Sequence, residues 1–400
     1  MMKTSIMRTV LLAVGVSMLS CADELGEILS TKKSMIFDYQ MQTNELESDK
    51  LYKGWINPVM LRYSKNFNEQ FKTGTMITEN FTVSIDQPIF RSGGIYYAMK
   101  YSEALREANS AEIKLQRRMM IVDAVTTLFN IHKNRLQQKK MHYQINNDKI
   151  DILQKRDSYN AGLLDGSFLD QAMLKKNQDE TTLLELELGL RAYQQQFALL
   201  SDKDPDTLKL PTLKRVNKQI YKEANLELRR DRKKALQKSH NQKMTWAKYL
   251  PTVSVNGQYT NGDINPFFPN PNLKEQYYSY GLSVSMPLDI NAFDDIEASR
   301  VAKLQAKVQV LDREETVEQE YEWILSNLEI LERKIVLARE DQKLYESLYE
   351  VTSNLAKAGE KTSLDAEVMH NTLQMRKLDQ QIYAIDKQIE LLKLYARMAE

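Results

Sequence analysis

Two segments of this chain, residues 92–159 and 292–356, contain no proline, and Gly93 and Gly94 are the only glycines in them. Each segment therefore predicts one uninterrupted helix of about 100 Å, which is far longer than a globular domain is wide. The whole chain of 400 residues has only 13 Gly and 9 Pro, less than half of their usual frequency. Sandwiches and doubly wound α/β folds need frequent turns and are excluded.

The same order of segments occurs twice, about 195 residues apart. In each copy a helix precedes two alternating segments, a long helix, a turn with one glycine and a return helix, which together indicate an internal repeat. The predicted first copy covers 23–200, with strands at 57–68 and 77–90, the long helix at 92–159, the tip at 160–168 and the return helix at 169–200. The predicted second copy covers 218–400, with strands at 250–261 and 276–288, the long helix at 292–356, the tip at 357–363 and the return helix at 364–399. A linker at 201–217 joins the two copies. The predicted first tip is two residues longer than the second.

The helices have the apolar spacing of coiled coils. Steps of three and four residues keep one apolar seam on a partner helix, and they are found at Leu183, Leu186, Leu190, Tyr193, Phe197 and Leu200, and at Met375, Leu378, Ile382, Ile385, Ile389, Leu392 and Ala396. Alanines at 104, 108 and 111, and at 298, 302 and 306, would let neighbouring helices approach closely at the start of each long helix.

The four alternating segments place apolar and polar side chains on opposite faces. Val83 and Ile85 alternate with Thr82 and Ser84, for example, and this pattern extends over 10 to 13 residues in each segment. Such a period suits a tilted membrane strand with lipid on one side and water on the other. A soluble hairpin packed on a core is the alternative, but nothing else in the chain is apolar enough to cover four such faces.

Four strands cannot close a barrel, and an open sheet in hydrocarbon would leave unpaired backbone edges. Two chains would supply eight strands and a filled interior, whereas three would supply twelve strands and a lumen. Long helices around a hollow interior fit the larger number, so the strand count predicts a trimer.

The first 22 residues predict an export signal. Lys3 and Arg8 precede an uncharged apolar run of about ten residues, which is too short to span a bilayer. The only cysteine, Cys21, follows this run and lies in a loose lipobox, so it is a candidate for lipidation after cleavage. Simple cleavage before Asp23 is the other interpretation.

Several other site types find no support in the sequence. The four histidines have neither metal-site spacing nor a nearby cysteine, no nucleophile and base form a catalytic pattern, and no cofactor motif is complete. The net charge of +1 argues against nucleic acid as a partner. The basic run at 229–234 is interpreted as a solvated helix face.

Three motifs, taken with the doubled order of segments, resemble those of the TolC family of outer-membrane efflux channels. They are the strand-end segment Asp86–Gly94, its counterpart Val284–Leu288 and the tip Ala358–Asp365. The resemblance covers about residues 24–399. It implies a mainly α-helical fold with an α-helical tunnel and a twelve-stranded outer-membrane barrel, completed by a homotrimer. It also implies a passive exit duct for tripartite efflux or type I secretion, opened by a periplasmic adaptor and an inner-membrane transporter.

By position, the resemblance places the tunnel entrance at the two tips. Asp365 matches an entrance carboxylate; the second family carboxylate falls on Val368, with Glu367 nearby. Lys361 and Asp170 match a latch between neighbouring helices, whose aromatic position is Ala356. The adaptor-contacting residues would be Gly162, Leu163, Gly359, Thr362, Ser363 and Leu364. A carboxylate repeated around an axis favours cations at a constriction, although Asp365 and Asp170 beside helix starts are equally well explained as helix caps.

Two hypotheses of different classes stay open. The main one is the export duct, which is not an enzyme and touches outer-membrane lipid. The alternative is a periplasmic coiled-coil scaffold or adaptor without a barrel. This alternative would be favoured if the four alternating segments proved soluble in water. An extracytoplasmic enzyme has little support.

Overall fold

A computed structural model describes residues 28–69, 74–264 and 270–399 of the chain. The predicted signal, and Cys21 with it, lie outside the described residues, so export and lipidation stay predictions. The described residues form seven helices and four strands. The helices are α1 (Thr31–Tyr52), α2 (Gly94–Asn160), α3 (Gly166–Leu200), α4 (Lys218–Ala224), α5 (Leu226–Lys248), α6 (Ala292–Lys357) and α7 (Ser363–Tyr395). The strands are β1 (Met60–Asn68), β2 (Met76–Phe90), β3 (Thr252–Gly262) and β4 (Gln276–Ser285).

The element order repeats along the chain. Helix α1, strands β1 and β2, and helices α2 and α3 are followed in the same order by α5, β3, β4, α6 and α7. Strand β4 ends at Ser285 rather than at 288, because Pro287 has no N–H to give to a strand ladder. Helix α3 begins at Gly166 rather than at 169. The turns 161–165 and 358–362 therefore have the same length, and the expected two-residue difference between the tips does not occur.

The chain divides into two compact units. The helical unit comprises, among the described residues, 28–38, 113–226 and 315–399. The sheet unit comprises 39–112 and 227–314, without the undescribed residues 70–73 and 265–269.

Within the helical unit the helices lie side by side in the order α3, α2, α7, α6. Gln138 of α2 donates to the carbonyl of Leu186 in α3 (3.3 Å), which joins the first two helices. Lys133 of α2 pairs with Asp386 of α7 (2.6 Å), and Gln380 of α7 donates to the carbonyl of Ala338 in α6 (3.1 Å). Helices α3 and α6 are consequently the two outer helices of this row.

The core of the helical unit is built mainly by α2, α6 and α7. Its most buried side chains are Ile121, Val125, Leu128, Phe129 and Ile131 of α2, Val317 and Tyr321 of α6, and Leu391, Leu392 and Leu394 of α7. The irregular segment 201–217 is fastened to the same core. Leu213 N–H donates to Gln388 Oε1 (2.7 Å), and the Tyr321 hydroxyl donates to the carbonyl of Val216 (2.8 Å).

Within the sheet unit the helical segments follow the order α1, α2, α5, α6, because Asn44 of α1 donates to the carbonyl of Arg106 in α2 (3.0 Å), α5 pairs with α2, and Lys303 of α6 donates to Gln242 of α5 (2.9 Å). The predicted close approach is seen at the start of α2, where Ala104, Ala108 and Ala111 are all buried. In α6 only Ala306 of the corresponding stripe is buried, and Ala298 is exposed, because α6 lies at the edge of the row.

The basic run of α5 is not simply a solvated face. Arg230 pairs with Glu112 of α2 (3.0 Å), Arg232 pairs with Glu314 of α6 (2.6 Å), and Lys233 pairs with Glu107 of α2. These ion pairs fasten α5 between its two neighbours, which the linear sequence could not reveal.

Candidate functional site

The four strands form one antiparallel sheet in the order β1-β2-β3-β4. In the register of the sheet, Leu61 lies opposite Val83, Val83 opposite Tyr259, and Tyr259 opposite Tyr278. Apolar residues of all four strands therefore share one face. The members of this apolar face are Leu61, Tyr63, Phe67, Ile77, Phe81, Val83, Ile85, Val253, Val255, Tyr259, Tyr278, Tyr280, Leu282 and Val284.

The apolar face is largely uncovered by the described chain. Tyr280 is 89% exposed, Tyr278 78%, and Leu282 and Val284 are each 67% exposed. Leu61, Tyr63 and Phe67 of β1 are more than 60% exposed as well. An exposed apolar surface of this extent marks contact with a membrane or another protein rather than with water.

The opposite face of the sheet is polar. Arg62 lies opposite Thr82, Thr82 opposite Thr260, and Ser84 opposite Gln258. The separation of the two faces recurs in all three strand pairs, so it reflects the sheet as a whole and not one hairpin. It is interrupted near the β1–β2 connection, where Lys65 and Glu79 pair on the apolar face (2.6 Å). A sheet of this kind divides an apolar medium from an aqueous one.

Both edges of the sheet are open. Among the described residues, β1 pairs only with β2 and β4 pairs only with β3. Every residue of β4 is exposed. Unpaired edges of this length readily accept another strand.

The predicted strand-end motif has a structural role at the end of β2. The side-chain amide of Gln87 donates to the carbonyl of Trp55 (3.1 Å) and accepts from the N–H of Asn57 (2.9 Å). Gln87 thereby fixes the connection between α1 and β1 onto β2. Ser92 and Gly93 follow with positive φ angles of 45° and 84°, and they turn the chain from β2 into α2.

The first tip, 161–165, is closed by a glycine turn. Gly162 has a φ of 71°, and the N–H groups of Gly162 and Leu163 donate to the carbonyls of Tyr159 (2.9 Å) and Ser158 (2.9 Å). This pair of hydrogen bonds is a Schellman motif, which uses glycine in the left-handed region to end a helix. Leu163 is 77% exposed.

Asp165, which the sequence did not single out, caps α3. Its carboxylate accepts from the N–H of Ser167 (2.8 Å), and this hydrogen bond lowers the pKa of Asp165. Asp170 lies inside α3 and is exposed, so it does not cap the helix. The signal that identifies the cap is an aspartate directly before the first helical residue, at the end of a glycine turn.

The second tip, 358–362, has the same backbone and a different cap. Gly359 has a φ of 80°, and Glu360 N–H donates to the carbonyl of Leu355 (2.9 Å). Thr362 is the N-cap of α7 and forms a capping box with Asp365, which accepts from Thr362 N–H (3.1 Å).

Asp365 also reaches across to α2, where Gln154 Nε2 donates to Asp365 Oδ1 (3.0 Å). The Thr362 hydrogen bonds, followed by those from Gln154 and the nearby charge of Lys361, lower the pKa of Asp365. The carboxylate is therefore ionised at neutral pH. The contact with Gln154 joins helices from the two repeats, and sequence patterns did not predict it.

The other predicted entrance residues lie at or near the tips. Lys361 and Glu367 are exposed, and Ser363 and Leu364 start α7. Lys361 and Asp170 form no ion pair with each other in the part of the chain that the structure describes.

The two outer helices carry a second apolar seam that sequence analysis missed. In α6, residues Trp323, Ile330, Leu337, Leu344 and Val351 recur every seven positions and are each 51–59% exposed. In α3, the exposed leucines are Leu174, Leu184, Leu188 and Leu199. In α6 the recurrence of apolar residues every seven positions was the available signal. No helix among residues 28–69, 74–264 and 270–399 is long and apolar enough to cross a bilayer.

The chain is similar in structure to three bacterial outer-membrane proteins. The outer membrane protein VceC from Vibrio cholerae gives a TM-score of 0.75 at 15% identity, over 96% of this chain and 97% of VceC. The Campylobacter jejuni CmeC outer membrane channel gives 0.74 at 13% identity, over 93% of this chain and 84% of CmeC. The Neisseria gonorrhoeae MtrE outer membrane channel in its open state gives a TM-score of 0.61 at 12% identity, over 94% of this chain and 88% of MtrE.

No protein-family model matches the sequence, and no curated protein does. At identities of 12–15%, the similarity to the three channels is one of fold. A mainly helical chain with long helices and a four-stranded antiparallel sheet is the TolC-like fold. The resemblance stated from the sequence is thus confirmed at the level of the fold.

Proposed function

We propose that three copies of this chain form a passive exit duct, with their sheets closed into one twelve-stranded barrel in the outer membrane. The observation that carries this proposal is the apolar face of the sheet, uncovered and bounded by two open edges. Three sheets supply the partners that both edges lack, turn the apolar faces to lipid and leave the polar faces around water. The helical part would lie in the periplasm.

The outer helices support the same assembly. Leu184 of α3 lies 22 residues from Gly162, and Leu337 of α6 lies 22 residues from Gly359, so both stand at the same distance from their tips. Leu174 and Leu348, a leucine that is 41% exposed and lies between Leu344 and Val351 of the α6 seam, match in the same way, at 12 and 11 residues. The α3 edge of one copy thus fits the α6 edge of the next, apolar seam against apolar seam.

A disulfide between copies tests this arrangement. Leu184→Cys combined with Leu337→Cys should give covalent dimers and trimers on oxidation, because α2 and α7 separate the two sites within one chain. The control combines Leu184→Cys with Val351→Cys, which lies only 8 residues from Gly359 and is therefore about 21 Å out of step. Each variant with only one of the introduced cysteines shows whether that cysteine forms a disulfide bond with Cys21 instead.

The duct itself is tested by purification in detergent and by conductance in planar bilayers. We expect a trimer that resists heat in detergent, as membrane barrels do, and discrete conductance steps. A monomer that stays in solution without detergent would contradict the duct and favour the periplasmic scaffold or adaptor. The proposed duct supplies no energy and catalyses no reaction.

The tips are the proposed contact for a periplasmic adaptor, which would join the duct to an inner-membrane transporter. Leu163 is 77% exposed, and Gly162, Gly359, Thr362 and Ser363 are exposed beside it or on the second tip. An exposed leucine on a glycine turn offers an apolar anchor for a partner helix. Replacing Leu163 with Glu should abolish adaptor cross-linking and leave the trimer intact.

Asp365 is the proposed entrance carboxylate. Three ionised copies around an axis would form a negative ring, which attracts cations and repels anions. Asp365→Ala should lower the cation selectivity of the pore in planar bilayers, whereas Glu360→Ala, an exposed change on the same turn, should have a smaller effect. Unchanged selectivity in Asp365→Ala would restrict Asp365 to its capping role.

A further inference from the structure

Two carboxyl groups face each other between α2 and α3 in the helical unit. Asp148 of α2 is only 2% exposed, and the carboxyl group of Asp179 in α3 lies within hydrogen-bond reach of it. Lys175 Nζ and Gln144 Nε2 both donate to Asp148 Oδ1, at 2.6 Å and 3.0 Å. We call Asp148 and Asp179 the carboxyl pair.

The other oxygen of Asp148 lacks a donor. Asp148 Oδ2 is buried, and no N–H or O–H group of the described residues donates to it. A buried carboxylate oxygen without a donor is strongly unfavourable. The group that faces it is the carboxyl of Asp179, which can donate a hydrogen bond only when it carries a proton.

The charges around the carboxyl pair leave room for that proton. Lys175 is the cation that binds Asp148, and its side chain is 56% exposed, so one partly solvated positive charge faces two carboxyl groups. Burial, followed by the hydrogen bond with Asp148 and the charge of Asp148, raises the pKa of Asp179, against smaller opposing effects of Lys175 and Gln144. The other charged groups nearby form pairs of their own, Asp151 with Lys155 on α2 (2.9 Å) and Glu180 with Lys176 on α3 (3.0 Å).

The second repeat has a different arrangement at the same place. When the repeats are aligned on their tip glycines, Tyr345 of α6 corresponds to Asp148, and Arg376 of α7 corresponds to Asp179. The Arg376 guanidinium lies over the ring of Tyr345, 5.3 Å from its centre, and pairs with Asp379 of its own helix (3.3 Å). A cation on an aromatic ring is a favourable contact that requires no proton. The carboxyl pair is thus specific to the first repeat.

We propose that Asp148 and Asp179 form a proton-binding site, which takes up one proton per chain and fastens α3 to α2 more firmly in mild acid. The protonated Asp179 carboxyl donates to Asp148 Oδ2, which gains its missing donor, and one negative charge remains beside Lys175. When the proton leaves to water, two carboxylates face each other and repel. Every group of the site belongs to one chain, so the site goes beyond the proposed duct and does not depend on it.

Infrared spectroscopy of the purified protein, titrated with acid, tests the site. The band of a protonated carboxyl group should appear at a pH above the usual Asp pKa of about 3.9. Its amplitude should correspond to one group per chain, and Asp179→Asn should remove it. Asp148→Asn should remove it as well, because the new amide can donate to an ionised Asp179. Asp151→Asn, which changes an exposed carboxylate three residues further along α2, is the control and should retain the band.

Difference spectra between the native protein and each variant isolate the carboxyl pair. Asp123, whose pKa burial also raises, contributes equally to all of them. Equal spectra for the native protein and Asp179→Asn would overturn the proposal. A band that magnesium or calcium ions displace at constant pH would also overturn it, because the site would then bind a metal ion. Neither result bears on the duct, which the trimer and conductance measurements test.

Hydrogen exchange in the native protein gives a second measurement that needs no variant. A raised pKa in the folded state makes the stabilising contribution present in acid and lost as the pH rises through that pKa. Protection of the α3 segment around Asp179, corrected for the intrinsic exchange rate at each pH, should therefore fall several-fold over this range. The α7 segment around Arg376 is the internal control and should show no such fall. Constant protection in α3, or an equal fall in both segments, would overturn the proposal.

Discussion

The sheet and the tips show two different ways in which a sequence determines a structure. In the sheet, the polarity pattern determines the outcome, and many apolar residues could replace Leu282 or Val284 on the exposed face. At the tips, single residues decide, because Gly162 and Gly359 occupy positive φ angles and Thr362 caps α7. The sheet should therefore tolerate the exchange of one apolar residue for another and be disrupted when a charged residue replaces an apolar one. The tips should respond to small changes at one position.

The largest expected effect is a charge on the apolar face. Val284→Asp places a carboxylate on the face that the proposed barrel turns to lipid, at a cost of up to about 3 kcal/mol per copy that depends on its depth, so the yield of inserted barrel should fall. Ser283→Asp, the neighbour on the polar face, should insert normally. The measurement is the fraction of heat-resistant trimer in reconstituted membranes, and equal tolerance of both changes would refute the assignment of the two faces.

The next effect concerns the tip glycines. Gly359→Ala forces a side chain into a φ of 80°, which costs about 1–2 kcal/mol for a residue with a Cβ. Space is not the cause, since no described atom beyond the neighbouring residues of Gly359 lies within 4 Å of the added Cβ. The second tip should become more susceptible to proteolytic cleavage, and the control Glu360→Ala should not. If Gly359→Ala is cleaved no faster than the native protein, the strain prediction is contradicted, and the turn has adopted another backbone conformation without opening.

A smaller effect is expected from the cap of α7. Thr362→Ala removes the side chain that accepts from Asp365 N–H (3.1 Å), and the loss of such a cap costs about 1 kcal/mol. Protection of the first turn of α7 against hydrogen exchange should fall. Ser363→Ala at the next position should leave protection unchanged, and an equal loss there would contradict the capping box.

The smallest effect is the pH dependence of the same cap. The pKa of Asp365 is lowered in the folded protein, so its stabilising contribution is present above the unfolded-state pKa of about 3.9. The contribution disappears as the pH falls through the folded-state pKa. Protection of the α7 start in the native protein should exceed that of Asp365→Asn at neutral pH and converge with it in strong acid. A difference that persists in strong acid would assign the effect to packing instead of charge.

The sequence predicted the elements that depend on local patterns. Alternation in β1 to β4 assigned the two faces of the sheet, and glycine positions placed both turns. What it missed depends on neighbours. Lys133, Lys140, Asn147 and Gln154 look like an ordinary polar face of α2 until α7 is placed against them. The cap at Asp165 was missed for a different reason, because the apolar pattern of α3 starts later than the helix itself.

The pairing of β2 with β3 has a consequence for how the protein is made. Thr82 of β2 pairs with Thr260 of β3 in the sheet. Strand β2 is therefore synthesised almost half a chain before its partner strand. Contacts between such distant segments form slowly. During that interval the β1-β2 hairpin carries its aromatic side chains without a neighbour, and the incomplete chain is open to aggregation until its second half is made.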